Sequence, residues 1–311
     1  MIFEGSEKKV ELLLSPEHPG LRTGSIRWDE VVYEARASIL STVSNQQCDA
    51  YLLSESSLFV WDHRLLMITC GQTSLIQATL KLLSIIPKDQ IRLLVYERKN
   101  ELAPEFQPSD FDSDLFRLRT ALDDLKCGEV ITLGEEHDNH VYLFLYQRGE
   151  PALQQDMTVE LLMHDLGASV RSAFAASAPA RQNMPAQLGL HHILPNFTID
   201  DYLFEPMGYS LNAISQNSYY TFHVTPEHNF SYASFETNHP FQQELDETIA
   251  RVIEIFQPGS FTLVLFETHG ASFSNPPNYL LQREVTLSIG LGYRVYFRNY
   301  NRTSPAIEMR N

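Results

Sequence analysis

Residues 48–60, Cys48-Asp49-Ala50-Tyr51-Leu52-Leu53-Ser54-Glu55-Ser56-Ser57-Leu58-Phe59-Val60, run as an apolar strand broken by four small or polar residues, Ser54 to Ser57. Side chains alternate across a strand, so simple alternation turns two of four residues outward. Four in a row demand a bend or an exposed backbone. From local pattern alone the patch is a serine-rich turn.

Outward from this stretch, strands and helices follow one another in short pieces. Residues 8–14 and 64–69 have strand character, and so do 91–96, 128–133 and 140–147. Trp28, Val31, Val32, Ala35 and Ile39 recur at helical spacing and predict a helix over 27–40. A stronger helix is expected over 73–86, ended by Pro87, and another along Leu115, Phe116, Leu118, Leu122 and Leu125. The stretch 103–113 is a Pro/Asp loop, and 157–175 is mixed and partly helical. The Ala/Pro/Gln-rich stretch 176–187 is the candidate linker. Strands resume at 197–204, 208–213, 218–224 and 231–235, then a helix at 241–256, then strands at 261–266 and 283–297. Many adjacent strands are joined by short turns, which favours antiparallel sheets with helices packed on one face.

Composition removes several classes. In 311 residues, 43% are hydrophobic and 20% charged, the balance of an ordinary globular chain. No apolar run approaches the roughly 18 residues of a membrane helix. The opening MIFEGSEKKVELLL lacks the order of a signal peptide, so a cytoplasmic location is expected. A net charge of −16, with no basic cluster beyond Lys8-Lys9, disfavours nucleic acid as a partner. Cys48, Cys70 and Cys127 are widely spaced and odd in number, which fits reduced thiols and gives no zinc framework. No phosphate-binding glycine loop, HExxH or GxSxG occurs, and the adjacent pair His191-His192 lacks metal-ligand spacing, so no metal is expected.

The serine patch has company. Phe3-Glu4-Gly5-Ser6-Glu7-Lys8 opens the chain, and Thr69-Cys70-Gly71-Gln72-Thr73 follows the patch. Gly208-Tyr209-Ser210-Leu211-Asn212, His223-Val224-Thr225-Pro226-Glu227 and 230–238 (FSYASFETN) lie in the second half. In this order, from residue 2 to about 270, the chain resembles the eukaryotic-type S-adenosylmethionine decarboxylases. The match weakens in 101–113, in 176–195 and over the last forty or so residues.

The resemblance implies a proenzyme that makes its own pyruvoyl cofactor. Ser56 would attack the Glu55 carbonyl, the resulting ester would undergo β-elimination, and hydrolysis would leave a pyruvoyl group on residue 56. The products would be a β chain 1–55 and an α chain 56–311. His223 is implied as the base in processing, a role suited to an imidazole that titrates near neutrality, and Ser210 as a residue holding the oxyoxazolidine intermediate. The pyruvoyl carbonyl would form a Schiff base with the substrate amine and act as electron sink. Cys70 is implied as the proton donor to the decarboxylated carbon. Phe3 and Phe204 match the aromatics that sandwich adenine, Glu227 the carboxylate on the ribose hydroxyls, and Glu55 the backbone that contacts adenine. Glu4 and Glu7 match positions that the family needs for activity.

Some family members are activated by putrescine, held in a buried acidic pocket. Its acids match Glu7, Asp156, Glu160 and Glu236, with Thr158 alongside. Buried carboxylates need cations, so the cluster wants a diamine or internal bases, and with the acids retained a diamine is expected still to bind. Responsive members carry a lysine two residues before the cysteine, where this chain has Ile68, while Arg98 matches a retained arginine. Besides S-adenosylmethionine decarboxylation for spermidine and spermine synthesis, two alternatives stand: the same scaffold retuned to ornithine or arginine, and a regulatory pseudoenzyme partner. The implied fold is α+β, a four-layer α/β/β/α sandwich. The whole chain 1–311 would be one domain of two pseudo-repeated halves, about 1–175 and 196–311, found as an αβ unit or an (αβ)2 pair.

Overall fold

The computed structural model describes residues 5–123, 127–149, 156–174, 183–228, 230–241, 243–270 and 273–303. The first sheet is built from β1 (Lys8–Leu14), β2 (Ile39–Ser44), β3 (Cys48–Leu53), β4 (Ser56–Trp61), β5 (Arg64–Thr69), β6 (Ile91–Lys99), β7 (Glu129–Leu133) and β8 (Val141–Gln147). Its order is β2-β3-β4-β5-β1-β6-β8-β7. The second contains β9 (Met157–His164), β10 (Thr198–Leu203), β11 (Tyr209–Ser215), β12 (Ser218–Thr225), β13 (Tyr232–Thr237), β14 (Ser260–Glu267), β15 (Tyr279–Ser288) and β16 (Arg294–Arg302). Its order is β10-β11-β12-β13-β9-β14-β16-β15. Every pairing is antiparallel, and the second sheet repeats the strand order of the first.

Helices α1 (Trp28–Glu34), α2 (Leu75–Ile85) and α3 (Phe111–Ala121) cover the first sheet. Val31, Leu75, Leu82 and Leu118 pack there with Val10, Leu12, Val60 and Leu65. Helices α4 (Ala168–Ala173), α5 (Met184–Gln187) and α6 (Leu245–Phe256) lie with the second sheet. Ile249, Val252 and Phe256 of α6 meet Leu161, Phe222 and Phe235 there. The other faces of the sheets meet each other: Phe59, Trp61 and Ile68 of the first pack with Ile214 and Tyr219 of the second. The fold is therefore the expected four-layer α/β/β/α sandwich.

Three expectations for local structure need correction. The helix expected over 27–40 stops at Glu34, Arg36 turns the chain with φ +62°, and residues 39–44 join the sheet edge as β2. The single strand expected over 283–297 is two, β15 and β16, parted by a turn at Gly290–Gly292. The segment 157–175 holds β9, a central strand of the second sheet, before the short α4. β9 is buried on both faces, so its sequence MTVELLMH lacks the alternation that marks a half-exposed strand. The repeated strand order begins with β9, upstream of the 176–187 linker, of which residues up to 182 lie outside the described residues.

Two hydrogen bonds between the sheets fix their relative direction. Asn45 Nδ2 donates to the Gln216 carbonyl, 3.0 Å, at one end, and Asn212 Nδ2 donates to the Tyr51 carbonyl, 3.1 Å, further along. The β3–β4 turn, the end of β5, the chain entering β1, the β10–β11 connection and the segment leaving β12 consequently share the opposite end.

Candidate active site

The β3–β4 hairpin pairs Leu53 with Ser56, so Ser54 and Glu55 form a two-residue turn. Such turns use positive φ, normally supplied by glycine or asparagine. Here the strain falls on Ser56, with φ +130°. Side chains rarely adopt this region unless surrounding structure enforces it. Pairing of Ser56 with Thr69 places Cys70 against the turn. The Cys70 backbone N–H donates to the Glu55 carbonyl, 3.2 Å, and the Ser56 hydroxyl donates to Cys70 Sγ, 3.3 Å. A hydroxyl, a thiol and a polarised carbonyl thus meet at the Glu55–Ser56 peptide. Gly71 follows with φ +63°, which lets the chain turn away at once. Burial and the nearby Glu55 carboxylate push the Cys70 thiol well above its ordinary range, so it is protonated at neutral pH. Burial also raises Glu55, partly offset by Lys8.

His223 stands on β12, in register with Ser210 of β11 and Ser234 of β13, so the three side chains share the face turned toward the first sheet. Its Nδ1 lies 2.6 Å from Glu7 Oε1, and its Nε2 lies 2.9 Å from Ser57 Oγ. Ser234 Oγ also donates to Glu7 Oε1, 2.5 Å, and Lys99 Nζ reaches Glu7 Oε2 at 3.0 Å. Burial pushes the Glu7 carboxyl up, but Lys99, His223 and Ser234 together outweigh it and hold the group far below the usual carboxylate range. The segment carrying Glu7 enters closely: a Cβ on Gly5 would lie 2.7 Å from Tyr232 Cβ. Glycine is therefore required where the chain slips against β13.

Beside this pair lies a second buried cluster. Lys9 pairs with Glu160, with Glu97 at 3.0 Å and with Glu236 at 3.5 Å. Lys99 reaches Glu160 at 3.3 Å. Burial lowers the two ammonium groups, but the surrounding carboxylates outweigh it and hold both well above their ordinary range. Burial raises Glu160, and Lys9 and Lys99 more than reverse it. Burial and Glu160 push Glu97 up to about 8, and burial raises Glu236 too. The charges balance in this way: Lys9 and Lys99 face ionised Glu7 and Glu160, while Glu97 and Glu236 are driven toward their neutral forms.

The expected residues fall into three groups. Glu55, Ser56 and Cys70 meet at the turn, His223 reaches Ser57 beside it and holds Glu7 on its other side, and Ser210 stands in register with His223. Phe204, beside Gly208, and Glu227 lie at the same end, on the connections flanking β11 and β12. Phe3 and Glu4 lie outside the described residues. The five effector positions are spread over distinct contacts. Glu7 serves His223, Glu160 and Glu236 serve Lys9, and Asp156 accepts from Tyr293 Oη, 2.7 Å, with Arg64 at 3.6 Å. Thr158 lines a pocket with Lys9, Glu11, Asp156 and Tyr293. Ile68 stands in register between Ser57 and Lys9, an apolar spacer between the two clusters.

Sequence reasoning missed Ser57, Asn212, Thr221, Ser234, Lys9, Glu97 and Lys99. A signal existed: Ser210 and Asn212, Thr221 and His223, Ser234 and Glu236 are polar at alternate positions of apolar strands. That alternation ordinarily means a solvated face; here a second sheet covers it. Among the described residues no group of three or more His, Cys, Asp and Glu could hold a metal, and no helix is long and apolar enough to cross a membrane.

A four-layer sandwich with an ion-paired interior and a strained serine turn at one end defines a class of α/β/β/α enzyme. Comparison narrows it. The family model described as adenosylmethionine decarboxylase matches residues 1–303. An S-adenosylmethionine decarboxylase proenzyme of Dictyostelium discoideum is 31% identical, covering 99% of this chain and 88% of its own. One of Caenorhabditis elegans is 35% identical over 85% of this chain and 76% of its own. The solved Trypanosoma brucei AdoMetDC-delta26 monomer shares the fold with a TM-score of 0.63 at 22% identity, covering 79% of this chain and 99% of its own. The chain belongs to the adenosylmethionine decarboxylase family.

Proposed function

We propose that this chain cuts itself between Glu55 and Ser56, turns Ser56 into a pyruvoyl group, and decarboxylates S-adenosylmethionine to the aminopropyl donor for polyamine synthesis. The observation that carries the reading is the strained Ser56, φ +130°, next to a carbonyl held by the Cys70 N–H. Attack by Ser56 Oγ on the Glu55 carbonyl carbon builds negative charge on that oxygen, where the Cys70 donor already points. The proton of Ser56 Oγ passes to the departing Ser56 nitrogen. A base then removes the Ser56 α-proton and the Glu55 carboxylate leaves; His223, oriented by Glu7, has that role. Elimination leaves a dehydroalanine at residue 56, which takes up water and releases ammonia to become the pyruvoyl; the residues fit that group, since the turn is buried beside Cys70. Bound there, the group supplies the electron sink for loss of carbon dioxide. Cys70, kept protonated, returns a proton to the substrate carbon. Phe204 and Glu227 are read as adenine and ribose contacts, together with Phe3; Glu4 joins Glu7 as a residue needed for activity.

The acids assigned to putrescine already face Lys9, Lys99 and Arg64, so the chain carries its own cations and basal turnover does not require the diamine. Binding is assigned to the pocket lined by Glu11, Asp156, Thr158 and Tyr293. Turnover and thermal stability measured with and without millimolar putrescine test this: unchanged values of both remove the diamine site.

Intact mass spectrometry of the purified protein tests the main reading. Two chains divided at Glu55/Ser56, the larger blocked by pyruvate, are expected, with carbon dioxide released from carboxyl-labelled S-adenosylmethionine. A single chain of full mass without turnover would overturn it.

A further inference from the structure

Lys8 stands in register between Thr69 of β5 and Arg98 of β6 and is 2% exposed. Its ammonium donates to two neutral oxygens: the Gly71 carbonyl at 3.2 Å, and Gln107 Oε1, in the connection between β6 and α3, at 2.7 Å. Among the described residues no carboxylate pairs with it. The other buried cations differ. Lys9 has Glu97 at 3.0 Å, Lys99 has Glu7 at 3.0 Å, Arg64 has Glu11 at 2.7 Å and Arg98 has Asp114 at 2.9 Å. A buried charge without an opposite partner is costly. Burial first, then Arg98, lowers the Lys8 ammonium to about 8, against the pull of Glu101, Cys70 and Asp114.

The place of this cation gives it a partner. The Gly71 carbonyl that Lys8 holds follows directly on Cys70, whose N–H holds the Glu55 carbonyl. The ammonium therefore sits beside the Glu55–Ser56 peptide. It draws the Glu55 side-chain carboxyl down against burial, yet Glu55 Oε2 is buried without a hydrogen-bond partner, so that side chain does not occupy Lys8. In the uncut chain the Glu55 carbonyl is neutral. When the ester at residue 56 eliminates, the bond between Ser56 Oγ and Cβ breaks. Its electron pair stays on the oxygen, and Glu55 becomes a chain end with a carboxylate that was not there before. We infer that Lys8 is the counter-ion of the carboxylate that self-cleavage creates on Glu55. The inference rests on the self-cleavage reading. Negative charge grows on the departing oxygen during elimination, so Lys8 speeds that step. Afterwards it ties the new end of the β chain to the α chain, to which Gly71 belongs.

Two measurements test it. Division of freshly made chain is followed by intact mass in the wild type, Lys8→Arg, Lys8→Gln and Lys8→Met. Lys8→Arg keeps the charge, and Lys8→Gln keeps a donor for Gly71 without it. The two uncharged variants should divide about tenfold to a hundredfold more slowly, and Lys8→Arg close to the wild-type rate. Their undivided chains should hold the ester at residue 56, so hydroxylamine should split them there and leave a hydroxamate on Glu55. The second measurement compares melting at fixed protein concentration, with Ser56→Ala as the chain that stays whole. Lys8→Met should lower the melting temperature of the divided protein by about 5 °C more than it changes the Ser56→Ala chain. Wild-type rates in Lys8→Gln, with equal melting shifts in both backgrounds, would overturn the inference. Slow division without a hydroxylamine-sensitive ester would do the same, because Lys8 would then act before elimination or only on the fold. A wild type that stays whole is a separate result, seen without any variant, and removes the self-cleavage reading together with this inference.

Discussion

At the scale of single residues, Ser56 is where the chain departs from local preference. A serine at φ +130° stores strain that a glycine would not. Ser56→Ala and Ser56→Gly should both remain uncut, and denaturant unfolding should find the glycine variant more stable by about 1 kcal/mol, the relieved strain exceeding the extra freedom of unfolded glycine. Equal stabilities would show that the turn carries no strain. Glu7 is the second such residue. Its carboxylate is shared by His223, Ser234 and Lys99, so Glu7→Gln leaves a buried ammonium and imidazole short of a charge. Breaking one side of a buried pair costs about 3–5 kcal/mol. Uncut chain should accumulate in this variant on intact mass analysis, with a matching fall in thermal stability.

At the scale of elements, the alternating residues of β1 decide what the space between the sheets contains. Val10 and Leu12 turn toward the helices, while Lys9 and Glu11 turn inward. Lys9→Met keeps the length and removes the cation from Glu97, Glu160 and Glu236. A loss of about 3 kcal/mol or more is expected, with the carboxyls taking up protons to compensate. Glu160→Gln in the same chain should restore part of that loss, since it removes a carboxylate that has lost its partner. A double-mutant cycle in which the two changes simply add would show that Lys9 and Glu160 are not coupled. The strand character of β1 was legible, because its residues KKVELLL read as a strand. That Lys9 and Glu11 face a closed interior was not, because alternation looks the same against water and against a second sheet.

At the scale of the molecule, the buried charges make stability depend on pH in two directions. Glu7 has a folded-state value far below its ordinary 4.5, so its contribution is complete above about pH 4.5 and is lost as pH falls below that. Glu97 runs the other way. Its value rises from 4.5 to about 8 on folding, so the folded chain binds more protons between these limits and stability declines as pH rises through the window. Thermal melts from pH 5 to pH 8 should therefore show a steeper decline for the wild type than for Glu97→Gln. Parallel profiles would place Glu97 outside the titrating set. The duplicated sheet order frames both effects, since each sheet contributes carboxylates to one shared interior: Glu7 and Glu97 with the first, Glu160 and Glu236 with the second.

The sequence by itself determined the antiparallel strands joined by short turns, most helices, and the serine turn with its neighbours Cys70, Ser210 and His223. The strands, helices and the turn itself follow from local periodicity and residue type; Cys70, Ser210 and His223 were joined to the turn by the resemblance of their motifs to a family. Only the tertiary structure decided that β9 is a central strand, that Lys9 and Lys99 meet the buried acids, and that Ser57 reaches Asn212 and His223 across the sheets. Each of these depends on which face of a strand is covered and by what, and that is settled by the packing of two sheets whose partners lie about 150 residues apart, as Ser57 and Asn212 do.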